Sequence, residues 1–231
     1  MKNYLKSPDK KVLMLDMNST FMFGEDRFGE NENFYEYYAK IEGALAKKEL
    51  NDIILSAYKY LDIRYPDEKY RHCFPSLKHA LETVCAAELT DKEMEKIIDT
   101  FSYHELGHIP QEYITALRKL REYFILAVVI DIWSPKKPWL NAFEKAGIDK
   151  LFSALSFSSD HGMVKPSPKP FENVVSELEL QKEECLVIGD SARRDLGGAI
   201  AAGIDCILVG GANDPRAVAC YPSLLGFSNE M

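Results

Sequence analysis

Three apolar runs in this chain stop at a carboxylate: Val12-Leu13-Met14-Leu15 before Asp16, Leu126 to Ile130 before Asp131, and Leu186-Val187-Ile188-Gly189 before Asp190. If the runs are strands of an open α/β sheet, these residues stand at the strands' carboxyl ends, where such sheets bind ligands. One Asp in such a place is ordinarily a turn or cap residue. Three on one sheet edge repel each other unless a cation neutralises them. Oxygen ligands with no His or Cys nearby suit Mg²⁺ better than zinc. Lys165 stands in GMVKPSPKPF, after a short strand and before a helix. Alone it reads as a solvated loop lysine. Beside a carboxylate–metal cluster it can neutralise a bound phosphate or an acyl-phosphate.

The elements that would position these groups follow from periodicity. The Val12–Leu15 run has the continuous apolar character of a buried parallel strand. Helical spacing follows over Phe34–Leu50, Ile53–Leu61, Leu77–Leu89 and Lys92–Phe101, with Thr90 and Glu93 spaced as a capping box. Beyond Pro110 the pattern changes. Helices over Tyr113–Glu122, Pro138–Lys145, Pro170–Leu178 and Leu196–Ala202 alternate with strands over Phe124–Ile132, Ala154–Phe157, Cys185–Ile188 and Cys206–Val209. Such alternation predicts a Rossmann-like parallel sheet with right-handed crossovers, interrupted after its first strand by an all-helical insertion.

The 231 residues are 46% hydrophobic and 28% charged, which excludes disordered and collagen-like chains. A net charge of −8 argues against nucleic acid as a partner. No run approaches a membrane span, and MKNYLKSPDKK lacks the apolar core of a signal peptide. The five scattered cysteines cannot all pair internally, which fits a reducing cytoplasm. The expected partner is a small molecule; the pattern carries no signal for an oligomeric state.

Taken together and in order, LMLDMNST, the strand ending at Asp131, SSDHGMVKPSPKPF and LVIGDSARRDLGGAIAAGI resemble the four motifs of the haloacid-dehalogenase-like (HAD) hydrolase superfamily. The helical block resembles that superfamily's C1-type cap. The resemblance implies a core formed by residues 1–21 and 109–231 and a cap over 22–108, with hinges near Phe21–Gly29 and Gly107–Gln111. It further implies Asp16 as the nucleophile that forms an aspartyl-phosphate, and Lys165 as the partner of that nucleophile and of the phosphoryl oxygens. Mg²⁺ would be bound by Asp16, Asp190 and the Asn18 carbonyl, with Asp195 supporting the metal or the lysine. Thr20 and Asp131, with Lys165, fall at substrate-binding positions.

Two positions depart from that pattern. The family's second first-motif Asp, which protonates the leaving oxygen and later activates water, is Asn18 here. An amide cannot transfer a proton at neutral pH, and losing general acid–base catalysis costs about 10²- to 10⁴-fold. The second motif's hydroxyl is replaced by Ile130 or, in the register shifted by one, by Asp131, with Ser134 close by.

His104-Glu105-Leu106-Gly107-His108 matches the zinc-protease pattern H-E-x-x-H. Gly107 and Pro110 weaken the helix that would carry both ligands, so the segment is expected to be a helix end. Three functions stay open: a Mg²⁺-dependent phosphatase for a small phosphorylated metabolite, slowed by Asn18; a catalytically impaired protein that binds a phospho-ligand or a partner; and a 2-haloacid dehalogenase-like enzyme. The last needs no leaving-group proton, but retention of Asp190 argues against it.

Overall fold

The computed structural model describes residues 10–85 and 89–231. Six strands form one sheet: β1 (Val12–Leu15), β2 (Ile125–Ile130), β3 (Phe152–Phe157), β4 (Cys185–Gly189), β5 (Asp205–Leu208) and β6 (Ala219–Cys220), in the order β3-β2-β1-β4-β5-β6. Every neighbouring pair is parallel. The sheet therefore grows outward from β1 in both directions, and the switch point lies where β1 adjoins β4. Open α/β sheets bind ligands outside the carboxyl ends of their strands at such a switch point, and Asp16 and Asp190 follow those two strands directly.

Both faces of the sheet are covered. On one face Leu13, Leu15, Val128 and Ile188 pack with Trp139 and Phe143 of α6 (Lys137–Ala146) and Leu117 and Leu120 of α5 (Gln111–Arg121). On the other, Val12, Met14, Val129 and Val187 meet Phe171 and Val174 of α8 (Lys169–Glu177) and Ala199 and Ala202 of α9 (Gly197–Ala202). Burial on both faces explains why these strands are uninterrupted apolar runs rather than alternating ones. Short helices α7 (Ser158–His161) and α10 (Leu224–Ser228) complete the core, and no helix among the described residues is long and apolar enough to cross a membrane. All five cysteines are free thiols.

Between β1 and β2 lie α1 (Phe34–Lys40), α2 (Lys47–Arg64), α3 (Leu77–Val84) and α4 (Asp91–Glu105), packed around their own cluster of Phe28, Phe34, Tyr38, Ile54, Leu61 and Phe101. The helix expected over Phe34–Leu50 divides in two. Glu42 takes a left-handed φ of 61°, and a Cβ on Gly43 would fall 2.2 Å from the Tyr38 ring. The Leu77–Leu89 expectation ends at Val84, and residues 86–88 lie outside the described ones. The Thr90 hydroxyl does accept the Glu93 N–H, but the Glu93 carboxylate accepts from the Tyr38 hydroxyl and the Ala44 N–H, leaving the box half formed.

Backbone pairing ties the insert to the core at two places. Phe23 and His108 exchange backbone hydrogen bonds of 2.9 and 2.8 Å where the chain leaves and returns. Farther out, Phe74 N–H donates to the Gly162 carbonyl at 2.7 Å, and Val164 N–H donates to the Arg71 carbonyl at 3.0 Å. The second junction borders the loop that carries Lys165.

Candidate active site

Lys165 is 2% exposed, and its ammonium lies 2.5 Å from Asp16 Oδ1, 2.6 Å from Asp195 Oδ1 and 3.1 Å from the Val129 carbonyl. Its three donors are thereby fully used. Burial opposes its charge, but the two carboxylates more than offset this and hold its pKa above the ordinary lysine value. Asp16 is 6% exposed, and burial pushes its carboxyl up to about 7, with Lys165 pulling down and Asp195 adding to the rise. The Thr20 hydroxyl sits 3.4 Å from Asp16 Oδ2.

Asp195 reaches this cluster because residue 189 is glycine: a Cβ there would stand 2.3 Å from the Asp195 carboxyl carbon. Both Asp195 oxygens are engaged, one by Lys165 and the other by the Ser191 N–H at 2.9 Å. Asp190 is different. Its Oδ1 is buried without a hydrogen-bond partner, and burial followed by repulsion from Asp195 raises its pKa.

Asp16, Asp190 and Asp195 each bring a carboxylate oxygen within 4.8 Å of the others, as the residues around a metal ion would. The buried, unpartnered oxygen of Asp190 and the lightly engaged Oδ2 of Asp16 fit a hard divalent cation such as Mg²⁺. The Asn18 carbonyl accepts no hydrogen bond among the described residues, and Asn18 Oδ1 is also buried and unpartnered.

At the second strand end the two candidate residues differ in surroundings. Ile130 is 2% exposed and packs in the sheet core, whereas the Asp131 carboxylate accepts the Lys165 main-chain N–H at 3.0 and 3.3 Å. Ser134 is fully buried, and its N–H donates to Glu105. The residue beside the lysine loop is thus a carboxylate, and burial raises its pKa despite the nearby Lys165 charge.

Sequence reasoning missed two contributors. Tyr65, just past α2, donates its hydroxyl to Asp131 Oδ2 at 2.5 Å. Arg194, in the π-helical turn Ala192–Leu196, places Nη1 3.4 Å from that hydroxyl and Nη2 4.0 Å from Asp190 Oδ1. Neither carries a local signal: Tyr65 is one of 12 tyrosines, and Arg194 sits among charged neighbours.

The H-E-x-x-H segment is a helix end. Helix α4 stops at Glu105, and the buried His104 ring packs edge-on against Phe34, with burial and then Arg27 lowering its pKa. His108 lies beyond the helix in the backbone pairing with Phe23. Glu105, 3% exposed, accepts the N–H groups of Trp133 at 2.6 Å and Ser134 at 2.9 Å, so it grips the loop that follows Asp131.

A doubly covered parallel sheet, a helical insertion after its first strand and a lysine-bridged carboxylate cluster at the switch point define an α/β enzyme core of the hydrolase type. The chain belongs to the haloacid dehalogenase-like hydrolases, whose family model matches residues 10–203. The pyrophosphatase PpaX of Halalkalibacterium halodurans is 27% identical over 174 residues, covering 69% of this chain and 77% of its own. The glyceraldehyde 3-phosphate phosphatase of Pyrococcus furiosus is 27% identical over 107 residues, covering 46% of this chain and 43% of its own. The fold is shared with the 2-haloacid dehalogenase of Pseudomonas syringae pv. Tomato DC3000, at a TM-score of 0.65 and 19% identity over 95% of this chain and 97% of that one.

Proposed function

We propose that this hydrolase is a Mg²⁺-dependent phosphatase acting on a small phosphorylated metabolite through an aspartyl-phosphate on Asp16. The observation that carries this reading is the pairing of Asp16 with Lys165 at 2.5 Å beside the unpartnered oxygen of Asp190. A nucleophile, a cation for the phosphoryl oxygens and an unpartnered carboxylate oxygen meet at one edge of the sheet. Phosphoryl transfer depends mainly on such positioning and charge.

In the first half-reaction a carboxylate oxygen of Asp16 bonds to phosphorus as the bond to the leaving oxygen breaks. Lys165 holds Asp16 in line and offsets the charge on the phosphoryl oxygens, while Asp195 and the Val129 carbonyl fix the ammonium. In the second, water attacks phosphorus and the Asp16 oxygen departs. Mg²⁺, held by Asp16, Asp190 and the Asn18 carbonyl, supplies Lewis-acid stabilisation of the phosphoryl group when bound. The resemblance allows Asp195 to support the metal or the lysine; its two engaged oxygens favour its role as anchor of the lysine. Asn18 can hold a hydrogen bond to the leaving oxygen but cannot protonate it, so both proton transfers fall to solvent and turnover is slow.

In this reading residues 22–108 act as the cap over a core of 1–21 and 109–231, of which 1–9 and 86–88 lie outside the described residues. The enzyme works in the cytoplasm. The names of PpaX and of the glyceraldehyde 3-phosphate phosphatase support a phosphorylated substrate. A second reading, a catalytically impaired binder of phospho-ligands, is favoured by Asn18 together with the carboxylate at position 131.

A phosphatase panel with and without Mg²⁺, run beside a halide-release assay on 2-haloacids, separates these readings. Mg²⁺-dependent phosphate release that is lost in Asp190→Asn is expected. Metal-independent halide release would overturn the proposal in favour of dehalogenation.

A further inference from the structure

Arg194 carries a charge that the assembly around Asp16 does not use. Lys165 has spent all three donors on Asp16, Asp195 and Val129. The Arg194 side chain keeps 36% exposure, and among the described residues its hydrogen-bond acceptor is the Tyr65 hydroxyl, at a long 3.4 Å. Asp190 Oδ1 lies 4.0 Å away, too far for a hydrogen bond. A guanidinium has five N–H donors in a planar fork suited to carboxylate or phosphate, and among the described residues one of the five has a hydrogen-bond acceptor. Tyr65 sets its place on one side. Tyr65 donates to Asp131 at 2.5 Å, which turns an oxygen lone pair toward the guanidinium, and the Arg194 carbon lies 5.8 Å from the Tyr65 ring centroid. Phe74 and Trp133, each 5.8 Å from the Tyr65 ring, pack that ring in place.

We propose that Arg194, held by Tyr65, is a specificity-determining residue that binds a second anionic group on the substrate. The substrates are then small phosphoesters or phosphoanhydrides that carry a carboxylate or another phosphoryl group beyond the scissile bond. This inference rests on the phosphatase reading for the place of the scissile phosphoryl group, at Asp16 and Lys165. The bland rival is that Arg194 only balances the charges of Asp131 and Asp190.

Steady-state kinetics of the full chain with Mg²⁺ tests the proposal, using p-nitrophenyl phosphate, whose phosphoryl group is its one anionic group, and pyrophosphate and 2-phosphoglycolate, which each carry a second. A hydrogen bond to a charged group is worth about 10-fold or more in binding. Arg194→Gln is therefore expected to raise KM for a substrate with a second anionic group about 10-fold more than KM for p-nitrophenyl phosphate, and Arg194→Lys to recover part of the difference. An effect confined to pyrophosphate identifies the second group as phosphoryl; one confined to 2-phosphoglycolate identifies it as carboxylate. Equal changes for all three substrates would overturn the proposal and leave Arg194 a counter-charge. If no substrate turns over, the phosphatase reading fails by itself, and calorimetric titration with pyrophosphate and 2-phosphoglycolate decides the inference. Weaker binding to Arg194→Gln than to wild type sustains it, whereas equal affinity, or none in wild type, sinks it.

Discussion

The ammonium of Lys165 stands 2.5 Å from Asp16 across a sequence separation of 149 residues, with Asp195 at 2.6 Å on its other side. One buried cation thus separates two buried carboxylates. Removing one member of a buried ion pair typically costs about 3–5 kcal/mol, because the remaining charge is left uncompensated. Lys165→Met should therefore unfold at a markedly lower urea concentration than wild type when both are metal-free at neutral pH. A loss below about 1 kcal/mol would mean that the pair is not closed in solution.

Asn18→Asp should raise phosphatase turnover by about 10-fold or more, since it restores the missing acid at nearly constant volume. Asp16→Asn in the same background should erase the gain. The comparison belongs at saturating substrate, where phosphate affinity no longer limits the rate. Unchanged turnover alongside intact Mg²⁺ affinity would move the bottleneck away from proton transfer.

Much of this architecture was legible in the sequence because the sheet is buried on both faces. VLML and CLVIG could be read as strands directly from their apolar continuity, and the carboxylates that follow them marked the sheet edge where Asp16 and Asp190 meet. The β6 pairing of Ala219–Cys220 with Ile207–Leu208 was not legible, since two residues have no periodicity, and α10 spans only five residues around Gly226. The Tyr65–Asp131–Arg194 corner was hidden for a different reason. Its members lie 66 and 129 positions from Tyr65 and meet only through docking of the insert on the core. The break between α1 and α2 likewise depends on the Tyr38 ring filling the space beside Gly43.

Glu105 ties the insert to the Asp131 loop, so truncating it should be costly. Glu105→Ala strands the buried N–H of Ser134 and the part-buried N–H of Trp133, at about 1–3 kcal/mol each. Thermal or urea unfolding should register a loss of at least about 2 kcal/mol on that basis; a neutral effect would show that water replaces the carboxylate.

The same residue makes a pH signature. Burial, and then Asp26, push the Glu105 carboxyl up to about 7 from 4.5, against the pull of its hydrogen bonds from Ser134 and Trp133. Between those values the folded state keeps a proton that the unfolded state has released. Its contribution to stability is therefore present below pH 4.5 and lost as pH rises through about 7. Asp16 titrates over an overlapping window in the same direction, so the readout is the difference between wild type and Glu105→Gln. That variant cannot titrate and should show a shallower decline in unfolding free energy across the window. Parallel curves would remove Glu105 as the source.

Tyr65→Phe deletes a 2.5 Å hydrogen bond between insert and core while keeping the ring packing. If the insert moves as a lid, the backbone pairs Phe74–Gly162 and Val164–Arg71 should open more often. Hydrogen exchange at the Phe74 and Val164 amides should then quicken by about 10-fold or more, the usual size for a hydrogen bond to a charged group, while the amides of β1 stay protected. Equal protection in both proteins would argue that Tyr65 does not hold the insert down.

The most direct measurement traps the covalent step on Asp16. p-Nitrophenolate is a good leaving group and needs little protonation, so Asn18 should slow the attack of water more than the first transfer. Phosphoenzyme should then accumulate. Wild-type protein mixed with Mg²⁺ and p-nitrophenyl phosphate, quenched in acid within the first turnover and digested, should yield a phosphoryl group on the peptide containing Asp16, together with a burst of p-nitrophenol. An unmodified Asp16 peptide, with or without product release, would contradict the account.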